Sequence, residues 1–110
     1  MYIDYKDFLK LDIRVGFVKK CDKISNSNNL YKMMVDCGES NLRQIVSGIS
    51  QYYSSEDLIG KKIIVLTNLK PREFMGIESQ GMLLAADYNN EPFLLKIDER
   101  KPIPPGCRIK

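Results

Sequence analysis

The stretch Asp12-Ile13-Arg14-Val15-Gly16-Phe17-Val18 carries the first decision about the fold. Ile13, Val15 and Phe17 alternate with Asp12, Arg14 and Gly16, and Val18 then opens a more polar run. A two-residue period belongs to a half-buried strand, because successive side chains leave a pleated backbone on opposite sides. Gly16 within it predicts a bulge or tight bend. Before this strand, Asp4 is placed to cap a short helix through Phe8 and Leu9, whose spacing from Tyr5 gathers apolar groups on one side. After it, the Asn/Ser run 25–29 is a loop, residues 30–37 return to strand chemistry, Gly38-Glu39-Ser40-Asn41 turns the chain, and residues 42–46 form a third strand.

Further out the pattern changes. Ser47-Gly48 leads into residues 49–53, and Ser55 followed by Glu56-Asp57 reads as an N-cap with acidic residues in the first turn of a helix that Gly60 ends. Residues 62–69 hold the strongest strand signal, since Ile63, Ile64, Val65 and Leu66 form a continuous apolar run suited to burial on both faces. Pro71 ends it. Gly76 and Gly81 punctuate a loop and short strand, residues 82–86 are apolar, Asn89-Asn90 makes a turn, and residues 93–97 return as a hairpin partner. Pro102, Pro104, Pro105 and Gly106 force an extended tail. The expected fold is all-β: a five-stranded Greek-key barrel of the OB type, with a short helical insert between strands three and four and flanking terminal elements. An SH3-like barrel or a small sandwich would give a similar string.

Composition bounds the chemistry. The 110 residues, 44% hydrophobic and 28% charged, fit a single domain over 1–110. There is no histidine, which removes Ser-His and Cys-His nucleophile pairs and His-metal sites. Cys21, Cys37 and Cys107 are widely spaced, with no C-x-x-C pair, and read as small buried hydrophobes in a reducing compartment. No catalytic, metal or cofactor constellation is expected. No apolar run reaches the length a bilayer needs and no signal-type h-region follows Met1, so the expected location is cytoplasmic and away from membranes. Seventeen Lys and Arg against fourteen Asp and Glu leave +3, compatible with a basic face on a nearly neutral body.

Six short blocks, in order, carry a family resemblance. They are Asp12-Ile13-Arg14-Val15-Gly16; Leu30-Tyr31 with Val35-Asp36-Cys37-Gly38; Arg43-Gln44-Ile45-Val46-Ser47-Gly48-Ile49; Leu58-Ile59-Gly60; Asn68-Leu69-Lys70-Pro71-Arg72; and Gly76-Ile77-Glu78-Ser79-Gln80-Gly81-Met82, with Pro105-Gly106 closing the chain. Together they resemble the tRNA-binding domain found at the C-terminus of many methionyl-tRNA synthetases, in synthetase-associated cofactors and in a stand-alone dimeric structure-specific tRNA-binding protein. The resemblance implies an OB-fold that grips the outside corner of tRNA by shape, without catalysis.

The same resemblance assigns candidate contacts. Asn68, Lys70 and Arg72 lie where the buried strand breaks into loop at Pro71, placing a point charge, a two-pronged donor and a donor-acceptor pair within reach of phosphate and ribose oxygens. Ser79, Gln80 and Met82 match the family's Ser-x-Gly-Met signature, implied to lie on the tRNA-facing surface. Lys32 and Arg43 alternate with apolar neighbours and are expected to point outward. Tyr31 reads as core packing, and Lys19-Lys20 and Lys61-Lys62 as solvated edges. Basic groups are expected around Lys32, Arg43, Lys70 and Arg72, with carboxylates such as Glu56, Asp57, Glu91 and Glu99 elsewhere.

The family further implies a homodimer formed through the helix around Phe8 and the tail after residue 98, where Ile103 and Ile109 have no evident strand. With no synthetase catalytic sequence after Met1, the chain resembles the stand-alone form or a separately encoded aminoacyl-tRNA synthetase partner. A related OB-fold export chaperone that binds unfolded peptides shares the Asp12 to Gly16 wording. Its later blocks differ, whereas Asn68-Leu69-Lys70-Pro71 and Ser79-Gln80-Gly81-Met82 follow the tRNA-binding branch.

Overall fold

In the computed structural model, which describes residues 1–110, the opening alternation becomes the long strand β1 (Ile13–Lys23). Its two faces meet two different cores. Ile13 and Val15 belong to a cluster with Ile64 and Leu66, against which Leu84, Ile97, Ile103, Cys107 and Ile109 pack. Val18 and Cys21 face the other way, into the main core with Met33, Val35, Ile45, Leu58, Ile63 and Val65. Gly16 lies on that inner side, where an added Cβ would stand 2.7 Å from Val35 Cγ1 and 3.1 Å from Val65 Cγ2. The glycine therefore serves close packing of the barrel wall, and the strand's irregularity falls instead between Val18 and Lys20. That bulge puts Val18 opposite Val35 and Cys21 opposite Met33, so one extra residue keeps both side chains inside. Phe17, expected with Ile13 and Val15, is only half-buried and lies 4.9 Å beneath the Lys19 ammonium.

The remaining elements are α1 (Tyr5–Phe8), β2 (Tyr31–Asp36), β3 (Arg43–Ser47), α2 (Ser55–Leu58), β4 (Lys62–Leu66), β5 (Arg72–Phe74), β6 (Ile77–Ser79), β7 (Met82–Leu83), β8 (Ala85–Tyr88) and β9 (Glu91–Leu94). One sheet runs in the order β3-β2-β1-β4-β7, with every pair antiparallel. β1 is shared: its first half pairs with β4, its second with β2. A single strand common to both halves of the sheet makes a nearly closed five-stranded barrel rather than a sandwich, as the OB-type expectation requires. β4 is buried on both faces, Ile63 and Val65 inward and Ile64 and Leu66 outward, as its continuous apolar run predicts. The β8–β9 hairpin turns on Asn89 and Asn90, both at positive φ (52° and 64°).

Three expectations shift. The N-cap of α2 is Ser54, whose Oγ accepts from the Asp57 N–H, one residue before the expected Ser55. Asp4 precedes α1 but its side chain caps nothing, and none of that one-turn helix is buried. The tail is used within the chain. Beside residues 13–15, where β2 does not reach, the Val15 N–H donates to Cys107 O, Gly106 N–H to Val15 O and Ile109 N–H to Ile13 O. Ile103 and Ile109 thereby pack on the outer face of β1 and β4 while staying partly exposed. The strap crosses the β2–β3 turn at Gly38 and Gly106, both at positive φ; a Cβ on Gly38 would stand 2.8 Å from Gly106 Cα. No helix is long and apolar enough to cross a membrane.

Candidate nucleic-acid interface

β3 and β7 are not joined by a regular ladder; side chains close the barrel there. Ser79 is buried, its Oγ accepting from the Val46 N–H (2.9 Å) and donating to Gly81 O (2.9 Å). Gln80 Oε1 accepts from the Gln44 N–H (2.9 Å), and the Gln80 N–H donates to Gln44 O (2.7 Å). Arg43 then spans the seam. Its Nε and Nη2 donate to the two carboxylate oxygens of Glu39 (2.7 and 2.9 Å), and its Nη1 donates to Thr67 O (3.0 Å) and Gln80 O (2.7 Å). The guanidinium hydrogen bond holds the Glu39 carboxyl below the usual range, against the opposing pull of partial burial. Asn68 is committed as well: its Oδ1 accepts from the Asp12 N–H (2.8 Å) and its Nδ2 donates to Lys10 O (2.7 Å).

Four of the eight candidate residues are thus framework. Arg43 does not point freely outward as its strand position predicts, and the Asn68 amide turns back onto the chain rather than leaving the barrel beside Lys70 and Arg72. Arg43, Ser79 and Gln80 satisfy main-chain groups at the barrel seam, and Asn68 ties the end of β4 to the segment before β1. The other four are available. Lys70 and Arg72 are exposed and Lys32 is half-buried, and none has a carboxylate within ion-pair distance. Arg72 stands 4.9 Å over the Phe74 ring, which orients the guanidinium without neutralising it. Met82 is 43% exposed.

The structure brings seven of the eight together along two adjoining hollows that share Leu69 and Lys70. A cleft of about 580 Å³ between the 39–42 loop and the 67–71 turn is lined in part by Arg43, Asn68, Lys70 and Gln80. A smaller hollow beside it includes Lys70, Arg72, Phe74, Ser79 and Met82. Lys32 is set apart, in a third hollow with Met75 and Ile77 of the β5–β6 hairpin. Sequence reasoning missed that hairpin, although Met75-Gly76, both at positive φ, mark its turn. It also missed Leu42, Leu69 and Asn41 as lining residues; a Leu on each side of turn residues was the only signal.

The charge pattern needs correction. Arg43 is paired with Glu39, and Glu73 faces Glu78 across the β5–β6 hairpin. The basic groups therefore sit among carboxylates rather than on a uniformly positive face. Lys62 is no solvated edge either: it is 18% exposed and paired with Glu99 at 3.1 Å. Tyr31 is core as expected, 6% exposed, its hydroxyl donating to Tyr53 O. The buried Cys21 and Cys37 thiols are both pushed up to about 11, chiefly by desolvation, and are chemically quiet.

Known proteins share this fold. Residues 13–107 match the model of the tRNA binding domain family. A methionine–tRNA ligase of Caldanaerobacter subterraneus is 50% identical over 108 residues, covering 98% of this chain, which spans only 16% of the ligase. The crystal structure of a MetRS related protein from Pyrococcus horikoshii superposes with a TM-score of 0.91 at 40% identity, covering 100% of this chain and 99% of that one. A CsaA chaperone protein from Picrophilus torridus superposes at 0.87 with 30% identity, covering 99% and 100%. With the family model matched from β1 to the C-terminal strap, the chain belongs to the tRNA-binding domain family.

Proposed function

We propose that this chain is a non-catalytic, structure-specific tRNA-binding module that holds the outer corner of tRNA, acting alone or beside a methionyl-tRNA synthetase in the cytoplasm. The observation that carries this reading is the division of labour at the barrel seam. Arg43, Asn68, Ser79 and Gln80 fix the backbone, and Lys70, Arg72 and Met82 stand free on the surface so fixed. Cations on a rigid base suit recognition of phosphates at set spacing, since little ordering is left to be done on binding. Lys32 extends the contact past the β5–β6 hairpin. The site residues of this reading are Lys32, Arg43, Asn68, Lys70, Arg72, Ser79, Gln80 and Met82, the first and the exposed cations touching RNA and the seam residues positioning them.

A homodimer fits the same reading, because Tyr2, Ile3, Tyr5 and Leu9 are all exposed in the isolated chain. Two sites on one particle raise affinity through effective concentration.

The test is retention of folded tRNA on a filter by the wild-type protein and by Lys70→Ala/Arg72→Ala, over a range of salt. We expect wild-type binding at low salt, and in the variant a salt slope smaller by about 1.8, at about 0.9 per phosphate contact, with an unchanged melting temperature. No wild-type retention at low salt overturns the function; an unchanged slope in the variant moves the site elsewhere.

A second reading, peptide binding, has one observation in its favour besides the chaperone likeness. At the Lys62 end of β4, away from the 67–71 turn, a cleft of about 630 Å³ is lined mainly by apolar side chains, among them Tyr52, Leu94 and Ile97. Suppression of aggregation of an unfolded protein, with no tRNA retention, would favour it.

A further inference from the structure

We propose that the cleft between the 39–42 loop and the 67–71 turn takes one unstacked nucleotide, with its base between Leu42 and Leu69 and its phosphate on Lys70. This rests on the RNA-binding reading above and says what that site takes. At about 580 Å³ the cleft is an open groove with room for one nucleotide laid against it rather than enclosed by it. Its lining mixes polar groups with apolar surface, the latter supplied chiefly by Leu42 from the loop and by Leu69 and Pro71 from the turn. Leu42 and Leu69 are 41% and 40% exposed. Two aliphatic side chains on facing walls of such a cleft fit a flat, apolar-faced group with polar edges, and an unstacked base is such a group. The one unpaired charge at the cleft is the Lys70 cation, which favours an anionic ligand such as a nucleotide over an apolar peptide side chain.

Two further features agree. The cleft is already shaped without a ligand, because the Arg43 guanidinium in its floor ties Glu39 on one wall to Thr67 and Gln80 on the other. Its own charge is spent on Glu39, so the free cation at the site is Lys70. Asn41, in the same loop as Leu42, has its side-chain amide in no hydrogen bond within the protein. It offers a donor and an acceptor to a base edge. The double helix has no unstacked base to give, so this site separates a folded RNA with splayed loop nucleotides from a plain duplex.

The test uses the full chain carrying Leu42→Ser/Leu69→Ser, which changes no charge. Folded tRNA and a blunt RNA duplex are titrated at two salt concentrations. We expect binding of folded tRNA to weaken by about tenfold at both, with the salt slope kept, through loss of apolar contact, while duplex binding is unchanged. Undiminished tRNA affinity overturns the proposal, and so does an equal loss on tRNA and duplex. Failure of the wild-type chain to bind either RNA would instead overturn the RNA-binding reading itself. A second measurement stands independently of the variant's fold. Dimethyl sulfate footprinting of tRNA with the wild-type protein should alter the reactivity of an unpaired base, and base reactivities unchanged on saturating binding would contradict a base in the cleft.

Discussion

Arg43 shows how a charged residue can line a cleft without offering it a free charge. Four of its donor contacts are made at 3.0 Å or less, two to a carboxylate and two to main-chain carbonyls that have no strand partner. Its partner Glu39 supplies a pH test. The hydrogen bond from Arg43 lowers the Glu39 carboxyl from its ordinary value of 4.5 in the folded chain. Stabilisation from the pair is therefore fully present above the unfolded-state value and is lost as pH falls through the lower folded-state one. Asp12, lowered by its hydrogen bond with Arg14, adds in the same direction. Melting temperature should drop on acidification from about pH 6 to about pH 3, and Glu39→Gln should start lower and drop less. Parallel curves for the two proteins would mean that the pair does not hold the seam. The committed roles of Arg43, Asn68, Ser79 and Gln80 were not legible in the sequence. Their partners lie far along the chain, 58 residues from Asn68 to Lys10 and 37 from Arg43 to Gln80, so only the closed barrel reveals which polar groups are already satisfied.

At the scale of elements, what could be read depended on whether burial came from one neighbour or two. The run Ile63 to Leu66 announced a strand covered on both faces, and the structure has it so. The alternation correctly grouped Ile13 and Val15 on one face, though Phe17 stays outside their cluster, half-buried. It gave no hint that this is the outer face, covered by a strap arriving from residues 97–109, while Gly16 and Val18 line the barrel. Periodicity reports a shared face; it does not report what covers it. The strap also changes the account of the dimer. With Ile103 and Ile109 partly covered against β1 and β4, the N-terminal segment is the more open of the two flanking elements, Tyr2 and Tyr5 being 100% and 71% exposed. Light scattering should give a particle of twice 12.7 kDa at micromolar concentration, and Tyr5→Asp/Leu9→Asp should return it to 12.7 kDa with the fold retained. A wild-type particle of 12.7 kDa would contradict the dimer.

For the molecule as a whole, the near neutrality visible in the composition persists at the interface. Lys70 and Arg72 are free, but Arg43 is matched by Glu39, and Glu73 and Glu78 stand on the other face of the β5–β6 hairpin. A surface of this kind cannot rely on bulk attraction to any polyanion, as a uniformly basic one does. On the proposed reading, placement does more of the discrimination, with two cations and two leucines set against the phosphates and a splayed base of a folded RNA. The measurement that bears most directly on this claim is a titration of the wild-type protein against folded tRNA and against an unstructured RNA of the same length, at two salt concentrations. Shape recognition predicts tighter binding of the folded tRNA at both, with the preference kept as salt rises and overall affinity falls; equal affinity for the two RNAs would contradict it.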